Sequence, residues 1–535
     1  MVNTHRIAVS LAVLLAMSGT AAGEALNMTR AEYEDRVKAV WFGQFAGALM
    51  GFQFEHKASA VARVDKLPSQ FNHIIVDDDW YYEMIAIRAF EKHGTTLTAE
   101  QLGEQWKENN AGAWGSSEQA RLLLARSIKA PDTGHPRYNR LWFSIGPQFS
   151  ADVYGAIAPG LPNLAGKLAR NFGHLNGYAE GTDGAVFMAG MVSLGFVEND
   201  PKIIVKKAAQ LIHPKSPYRQ CLDLVIAMAE RGATPAEISS AVEDRWHSEY
   251  PATNNAVANG GLTAMAVWFG EGNYLQTANL AFQAADFTDA DCNAANAAAV
   301  VGAMKGMKAF SPTLIARLGD RIEGKVMGGI PFTPPVNESF ADLAKRTAAI
   351  GEKFLQASGG TVSRGRLQAP AQSIVTQPAE LFQLADLMQY WNPDWKLLRA
   401  GFGGAGGGMS GLRGNTYLND AVLATYPRDE VRGLVITRSA KLGGNPKLTV
   451  EVGVDRGRGW ALDVWVDNER VSSTTVSGGP GGGAPGADIQ WQLVETDLKR
   501  WAGGTVQIRL MQRVLLGPAH QPGNAYWKNL RLHLE

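Results

Sequence analysis

From Arg30 to about Phe310 the apolar residues recur at helical spacing, and after about residue 430 they alternate. Val37, Val40, Trp41, Phe45, Ala48 and Leu49 predict a helix over Tyr33 to Gly51. Gly43, Gly47 and Gly51 recur every fourth residue along it, leaving one bare face suited to tight packing in a helical core. Met84, Ile85, Ile87, Ala89 and Phe90 give an apolar face to a helix from Tyr82 to Lys92. Further helices are predicted over Ile203 to Ile212, Arg219 to Glu230, Leu262 to Gly270 and Pro235 to Trp246, the last with its proline in the first turn. Asn254, Asn255, Asn259 and Gly260-Gly261 are placed ahead of Leu262 to Gly270. Small residues at nearly every position from Ala294 to Gly306 predict a helix lying close against its neighbours. Thr313 to Asp320 and Phe340 to Gln356 complete an all-α domain expected over residues 24–360.

A mixture of Gly, Ser, Arg, Pro and Gln then marks a linker, 361–429, with one helix expected at Pro378 to Tyr390. The run Gly401 to Gly408 lacks the Lys-Ser or Lys-Thr of a phosphate loop and reads as a flexible connection. Strands are predicted at Lys447 to Val454, Trp460 to Val466, Gln490 to Val494, Thr505 to Met511 and Ala525 to Leu534, with a turn at Asp467-Asn468. Alternating strands separated by turns indicate an all-β sandwich over 430–535. Most of its tryptophans are expected in the core, with exposed aromatics available to sugars.

Composition narrows the function classes. The 535 residues carry 51 basic and 51 acidic side chains, a formal net charge of zero. That balance gives no reason to expect nucleic acid or an anionic membrane as partner. At the N-terminus, His5 and Arg6 precede an apolar stretch, Ile7 to Met17, and the small residues Ser18 to Gly23. Residues 1–23 therefore read as a cleaved secretory signal, too short for a membrane span, and no other segment suggests one. A secreted or periplasmic protein is expected. Cys221 falls in a helical pattern and reads as a small buried residue; a disulfide to Cys292 is not fixed by spacing. Neither cysteine has a Cys or His at zinc-ligand spacing.

The candidate chemistry lies in two acid clusters. Asp77, Asp78 and Asp79 follow Ile74-Ile75 and open one apolar helix; Asp289, Asp291, Cys292 and Asn293 open another. Such residues serve commonly as helix caps. Several carboxylates together also repel unless a cation sits between them, and clustered oxygens suit a hard divalent ion.

An acidic triplet opening a helix, followed far downstream by Asp-x-Asp-Cys-Asn opening a small-residue helix, resembles the ADP-ribosylglycohydrolase superfamily. The resemblance covers roughly residues 35 to 310 and includes Gly43 to Gly51, Ile145 to Gly155, Pro159-Gly160, His174 and Gly184 to Met191. It implies an all-α catalytic domain that hydrolyses a glycosidic bond with one or two divalent metals, usually Mg²⁺, with Mn²⁺ or Ca²⁺ as alternatives. It implies metal ligation by Asp77, Asp78, Asp79, Asp289 and Asp291. It makes Glu55, Asp78 and Asp152 the catalytic candidates, and His174 and Asn293 the substrate-binding ones. The family usually has Thr-Asp-Asp-Thr here, and Asp77 and Trp80 replace its two threonines, while Cys292 stands where Thr or Ser is usual. These departures leave a carbohydrate or nucleoside-like glycoside open beside ADP-ribose. The C-terminal pattern of Trp491, Trp501, Tyr526 and Trp527 resembles the galactose-binding-like jelly-roll modules of secreted glycosidases. The expected function is metal-dependent hydrolysis of a small-molecule or glycan substrate. Release of ADP-ribose from protein and non-catalytic glycan binding are the alternatives, and the oligomeric state is left open.

Overall fold

In the computed structural model the described residues are 24–55, 63–139, 141–247, 250, 253–284, 286–382, 384–399, 416–419, 422–425, 434–482, 486, 488–515 and 523–535. The expected signal segment and the Gly401 to Gly408 run lie outside them.

The chain forms a helical body followed by a β-sandwich. The first helix, Arg30–Gly51, begins at a capping box in which Thr29 and Glu32 satisfy each other's backbone donors. Its glycines meet the small-residue helix Ala290–Lys305 antiparallel. A Cβ on Gly43 would stand 2.6 Å from the Ala298 carbonyl oxygen, one on Gly51 would stand 2.5 Å from that of Ala290, and one on Gly47 would fall closer still to that of Ala294. The two backbones are therefore in direct contact along three successive rungs. Around this pair a single core gathers Trp41, Phe42, Trp80, Phe90, Phe310 and Phe340, all buried.

The body is less purely helical than its periodicity predicts. Between Pro312–Leu318 and Phe340–Ala357 lies an antiparallel hairpin, Arg321–Met327 with Ile330–Ser339. Ile322, Met327, Phe332 and Val336 are its buried apolar positions, and Gly328-Gly329, both at positive φ, make its turn. Phe332 packs on Tyr81 with ring centroids 4.9 Å apart, directly behind the acid triplet. The helix expected from Leu262 starts earlier, at Ala256, so Asn259 and Gly260-Gly261 lie within it. Asn255 is the residue that caps it, accepting from the Ala258 N–H.

The chain also stays with the helical body beyond residue 360. Thr361–Ser363 and Arg366–Ala369 form a sheet with Leu26–Thr29. Thr376 and Gln377 then bond the Gln210 and Leu211 carbonyls. The helix expected from Pro378 is seen over Leu384–Trp391.

The sandwich consists of two five-stranded antiparallel sheets. One has the order Ile489–Asp497, Lys447–Asp455, Ala525–His533, Val422–Thr425, Thr416–Asn419. The other runs Glu469–Ser477, Gly459–Val466, Thr505–Val514, Leu434–Lys441, Lys396–Arg399. Val450, Val452, Val454, Leu462 and Val464 fill the space between them, and Trp460 tilts over Trp527 at 5.0 Å. Among the described residues no helix is long and apolar enough to cross a membrane.

Candidate metal centre

The two acid clusters meet where the first helix ends. Asp77 caps the helix Asp78–His93, accepting from the Asp78 N–H at 2.7 Å, and Asp78 and Asp79 occupy its first turn. Asp289 stands at the cap position of Ala290–Lys305, yet its side chain makes no capping bond. The capping explanation thus holds for Asp77 and not for Asp289. Glu55 follows the short turn Phe52–Phe54, which continues the first helix.

Two overlapping ligand groups result. One oxygen or sulfur from each of Asp79, Asp291 and Cys292 lies within 4.8 Å of the others, as do carboxylate oxygens of Glu55, Asp289 and Asp291. Asp291 belongs to both. Asp79 Oδ2, Asp289 Oδ1 and Asp291 Oδ1 are buried and have no hydrogen-bond donor. Burying a charged oxygen without a partner is costly, and that cost points to a cation. Burial, then the neighbouring carboxylates, holds Asp78, Asp79 and Asp291 well above the usual carboxylate range. Burial pushes Asp289 up to about 7. The Cys292 thiol is likewise raised by burial and the surrounding acids, so it stays protonated and donates to Asp79 Oδ1. An oxygen-rich set with a protonated thiol fits Mg²⁺, Mn²⁺ or Ca²⁺ better than zinc.

The acids line a cleft of about 300 Å³, together with Phe52, Trp114, Ser116, Ser144, Asn254 and their neighbours. Asp77, Asp78, Asp289, Asp291 and Glu55 are all on its wall. The remaining sequence candidates are elsewhere. Asn293 is buried behind the cleft, accepting from Thr263 and donating to Asn259 Oδ1, which also accepts the Asp289 N–H at 2.7 Å. It positions the loop that carries the acids. Asp152 is buried one layer deeper, accepting from Gln44 at 2.9 Å and Asn296 at 3.1 Å. The same Gln44 nitrogen donates to Glu83 at 2.8 Å. Burial raises Asp152 to about 7 and Glu83 well above its ordinary value.

His174 is not brought to the cleft. Its Nε2 lies 2.7 Å from Glu380, which also accepts from the Ala179 N–H and the Thr182 hydroxyl. Burial works to raise Glu380, but His174, Arg170 and Thr182 outweigh it and leave the carboxyl low. His174 therefore fastens the segment after residue 370 to the helical body. Its partner stands 206 positions away, beyond the reach of any local pattern. Gln44, Glu83, Asn259 and Asn296 were missed from sequence. Glu83 and Asn296 each lie four residues past a motif residue, Asp79 and Cys292, and that spacing is the signal that places them beneath the site. Cys221 and Cys292 are both free and buried.

The model of the ADP-ribosylglycohydrolase family matches residues 29–349. Among solved structures, one described as an ADP-ribosylglycohydrolase-related protein complex is 14% identical, covering 61% of this chain and 99% of its own, with a TM-score of 0.39. A cleaved adhesin domain of Lys-gingipain from Porphyromonas gingivalis is 10% identical over 26% of this chain and 91% of its own, with a TM-score of 0.19. A structure titled "CBM4 structure and function" is 16% identical over 27% and 89%, with a TM-score of 0.17. No curated protein matches the chain.

Proposed function

The chain belongs to the ADP-ribosylglycohydrolase family, and from that premise we propose that it is a metal-dependent glycoside hydrolase whose centre is the cleft of Glu55, Asp77, Asp78, Asp289 and Asp291. The observation that carries this reading is the shared Asp291, which joins two groups of ligands whose buried oxygens lack donors. Asp79, Asp289 and Asp291, with Glu55 and the Asp77–Asp78 pair, would hold one or two Mg²⁺ ions. A divalent cation there supplies positive charge that offsets the acids, orients sugar hydroxyls and makes water more acidic.

The chain's own groups do the rest. Glu55 is partly exposed at the end of a turn; one of its oxygens belongs to the ligand group, and the other is the base that takes a proton from the attacking water. The water oxygen bonds to the anomeric carbon as the glycosidic bond breaks, and the leaving group takes its proton from solvent in the open cleft, to which Glu55 later returns the one it accepted. Asp78, on the cleft wall, would be ionised beside a bound cation and would then offset the positive charge that develops on the sugar ring. Asn259 and Asn293 hold Asp289 in place from behind.

Residues 1–23 support action outside the cytoplasm. The sandwich, with Trp491 partly exposed and the Lys528 ammonium 4.0 Å from its ring centroid, is assigned a sugar-directing role. The family name favours a second reading, release of ADP-ribose from modified protein. The deciding experiment is hydrolysis by the full chain with Mg²⁺, on ADP-ribosylated protein and on a panel of furanosides and pyranosides, with Asp289→Ala as control. Sugar release lost with EDTA and in the variant supports the first reading, and ADP-ribose release with the same dependence supports the second. Metal binding without turnover on either defeats both.

A further inference from the structure

The cleft has walls as well as a floor, and, if its acid centre hydrolyses a glycoside, the walls bear on which glycoside it takes. Phe52 and Trp114 both line the cleft, and they are 44% and 50% exposed. Rings of that size are ordinarily well covered. Neither is loose. Phe52 sits edge-on to Phe71 with centroids 6.1 Å apart. The Trp114 indole rests on the hairpin turn, where a Cβ on Gly328 would stand 3.2 Å from its ring. Just before it, the Gly112 N–H donates to the Met327 carbonyl at 3.0 Å and Asn110 pairs with Thr333. The hairpin thus holds an aromatic face toward the cleft.

The polar character of the cleft is one-sided. Glu55, Asp77, Asp78, Asp289 and Asp291 line it, and among the described lining residues there is no Lys, Arg or His. A diphosphate would find no cationic side chain among them to pair with. The helix Gly115–Ala125 opens at the wall, with the acidic Glu118 in its first turn. Ser116, in contrast, is buried at the wall with its hydroxyl unpartnered. A lone hydroxyl beside an aromatic face matches a sugar ring, which offers hydroxyls at its edge and C–H groups on its face.

We propose, resting on the glycohydrolase reading of the acid centre, that Phe52 and Trp114 are substrate-binding residues that stack on an uncharged sugar ring, with Ser116 bonding one of its hydroxyls, and that the cleft takes such a sugar in preference to a nucleoside diphosphate sugar. Calorimetric titration of the full chain in Mg²⁺ with galactose, glucose, arabinose and ribose, and in parallel with ADP-ribose and inorganic pyrophosphate, tests this. At least one monosaccharide is expected to bind. Its affinity should fall about tenfold in Trp114→Ala and in Phe52→Ala, and to a lesser degree in Ser116→Ala. Trp114→Phe, which keeps a ring, should retain most of it. The two phosphate ligands should bind more weakly than that sugar. Tighter binding of ADP-ribose or pyrophosphate, no sugar binding, or sugar affinity indifferent to all three variants would overturn the proposal. Trp114→Ala and Phe52→Ala do not share a supporting contact, so misfolding of one leaves the other decisive. Ring-dependent sugar binding with no hydrolysis of any glycoside would sink the glycohydrolase reading and leave the stacking role of the two rings standing. Hydrolysis of ADP-ribosylated protein alone would do the reverse.

Discussion

The Cys292 thiol donates to Asp79 Oδ1 across 3.2 Å, joining two motifs 213 positions apart. The bond fixes one oxygen of Asp79 and leaves the other, which has no donor, turned to its neighbours. Cys292→Ala removes that donor, and divalent affinity should fall by roughly ten- to a hundredfold, as for other groups that orient a ligand. Cys292→Ser keeps a donor and should bind Mn²⁺ within a few-fold of the parent. Calorimetric titration with Mn²⁺ reads both. Equal affinity in the alanine variant would show that the thiol orients nothing.

Asp291 stands in both ligand groups, while Asp289 stands in one. Asp291→Asn should therefore cost more metal affinity than Asp289→Asn, with turnover falling by about a hundredfold or more in the first. A stronger effect at Asp289 would reverse the assignment of the shared ligand.

The buried acids make the metal-free protein sensitive to pH in a defined direction. Asp152 moves from 3.8 to about 7 on folding, chiefly through burial, and Asp289 does the same. Between those values the folded chain holds protons that the unfolded chain has released. Stability is therefore fully present below about pH 4, falls as pH rises toward 7, and flattens above. Each group contributes a slope of at most about 1.4 kcal/mol per pH unit. In EDTA, Tm should fall between roughly pH 4 and 7, the window in which the unfolded chain has released protons that the folded chain still holds. Added Mg²⁺ should raise Tm most at the upper end, because it favours the ionised carboxylates. Asp152→Asn removes one titrating group and should shallow the slope without abolishing the Mg²⁺ effect. A Tm that rises with pH in EDTA would contradict the burial argument.

Glu380 binds His174, Thr182 and the Ala179 amide from a segment with no helix or strand of its own. Glu380→Ala should lower Tm and make the chain between residues 370 and 382 readily cleaved by protease, with the Mn²⁺ affinity of the acid centre unchanged. Loss of metal binding in that variant would mean that His174 serves the centre after all.

Much of this architecture is written locally. The glycine period on the first helix, the small residues after Asn293 and the alternation from Lys447 onward each state a backbone requirement that neighbours in sequence reveal. The acid motifs were legible for the same reason, since each sits at the start of its own helix. What was not legible is long-range. Asn259 reads as a loop residue among glycines, and its role exists only because Asp289 and Asn293 fold against it. The hairpin after Leu318 was hidden because Gly324, Pro331, Pro334 and Pro335 interrupt its alternation. His174 carries no local sign of Glu380.

The contact between the first helix and Ala290–Lys305 has one more consequence. Gly43, Gly47 and Gly51 each admit one carbonyl, from Ala298, Ala294 and Ala290 in turn. Gly47→Ala should cost about 1–3 kcal/mol or more, since backbone cannot step aside as a side chain can. The rungs also act as notches in a ratchet. Moving one helix along the other by a rung shifts it four residues, or about 6 Å. That exceeds the 4.8 Å within which Glu55, Asp289 and Asp291 gather. The two halves of the cage therefore lock in a single register or do not form at all, and the ion's seat is set by the teeth of the helices beneath it.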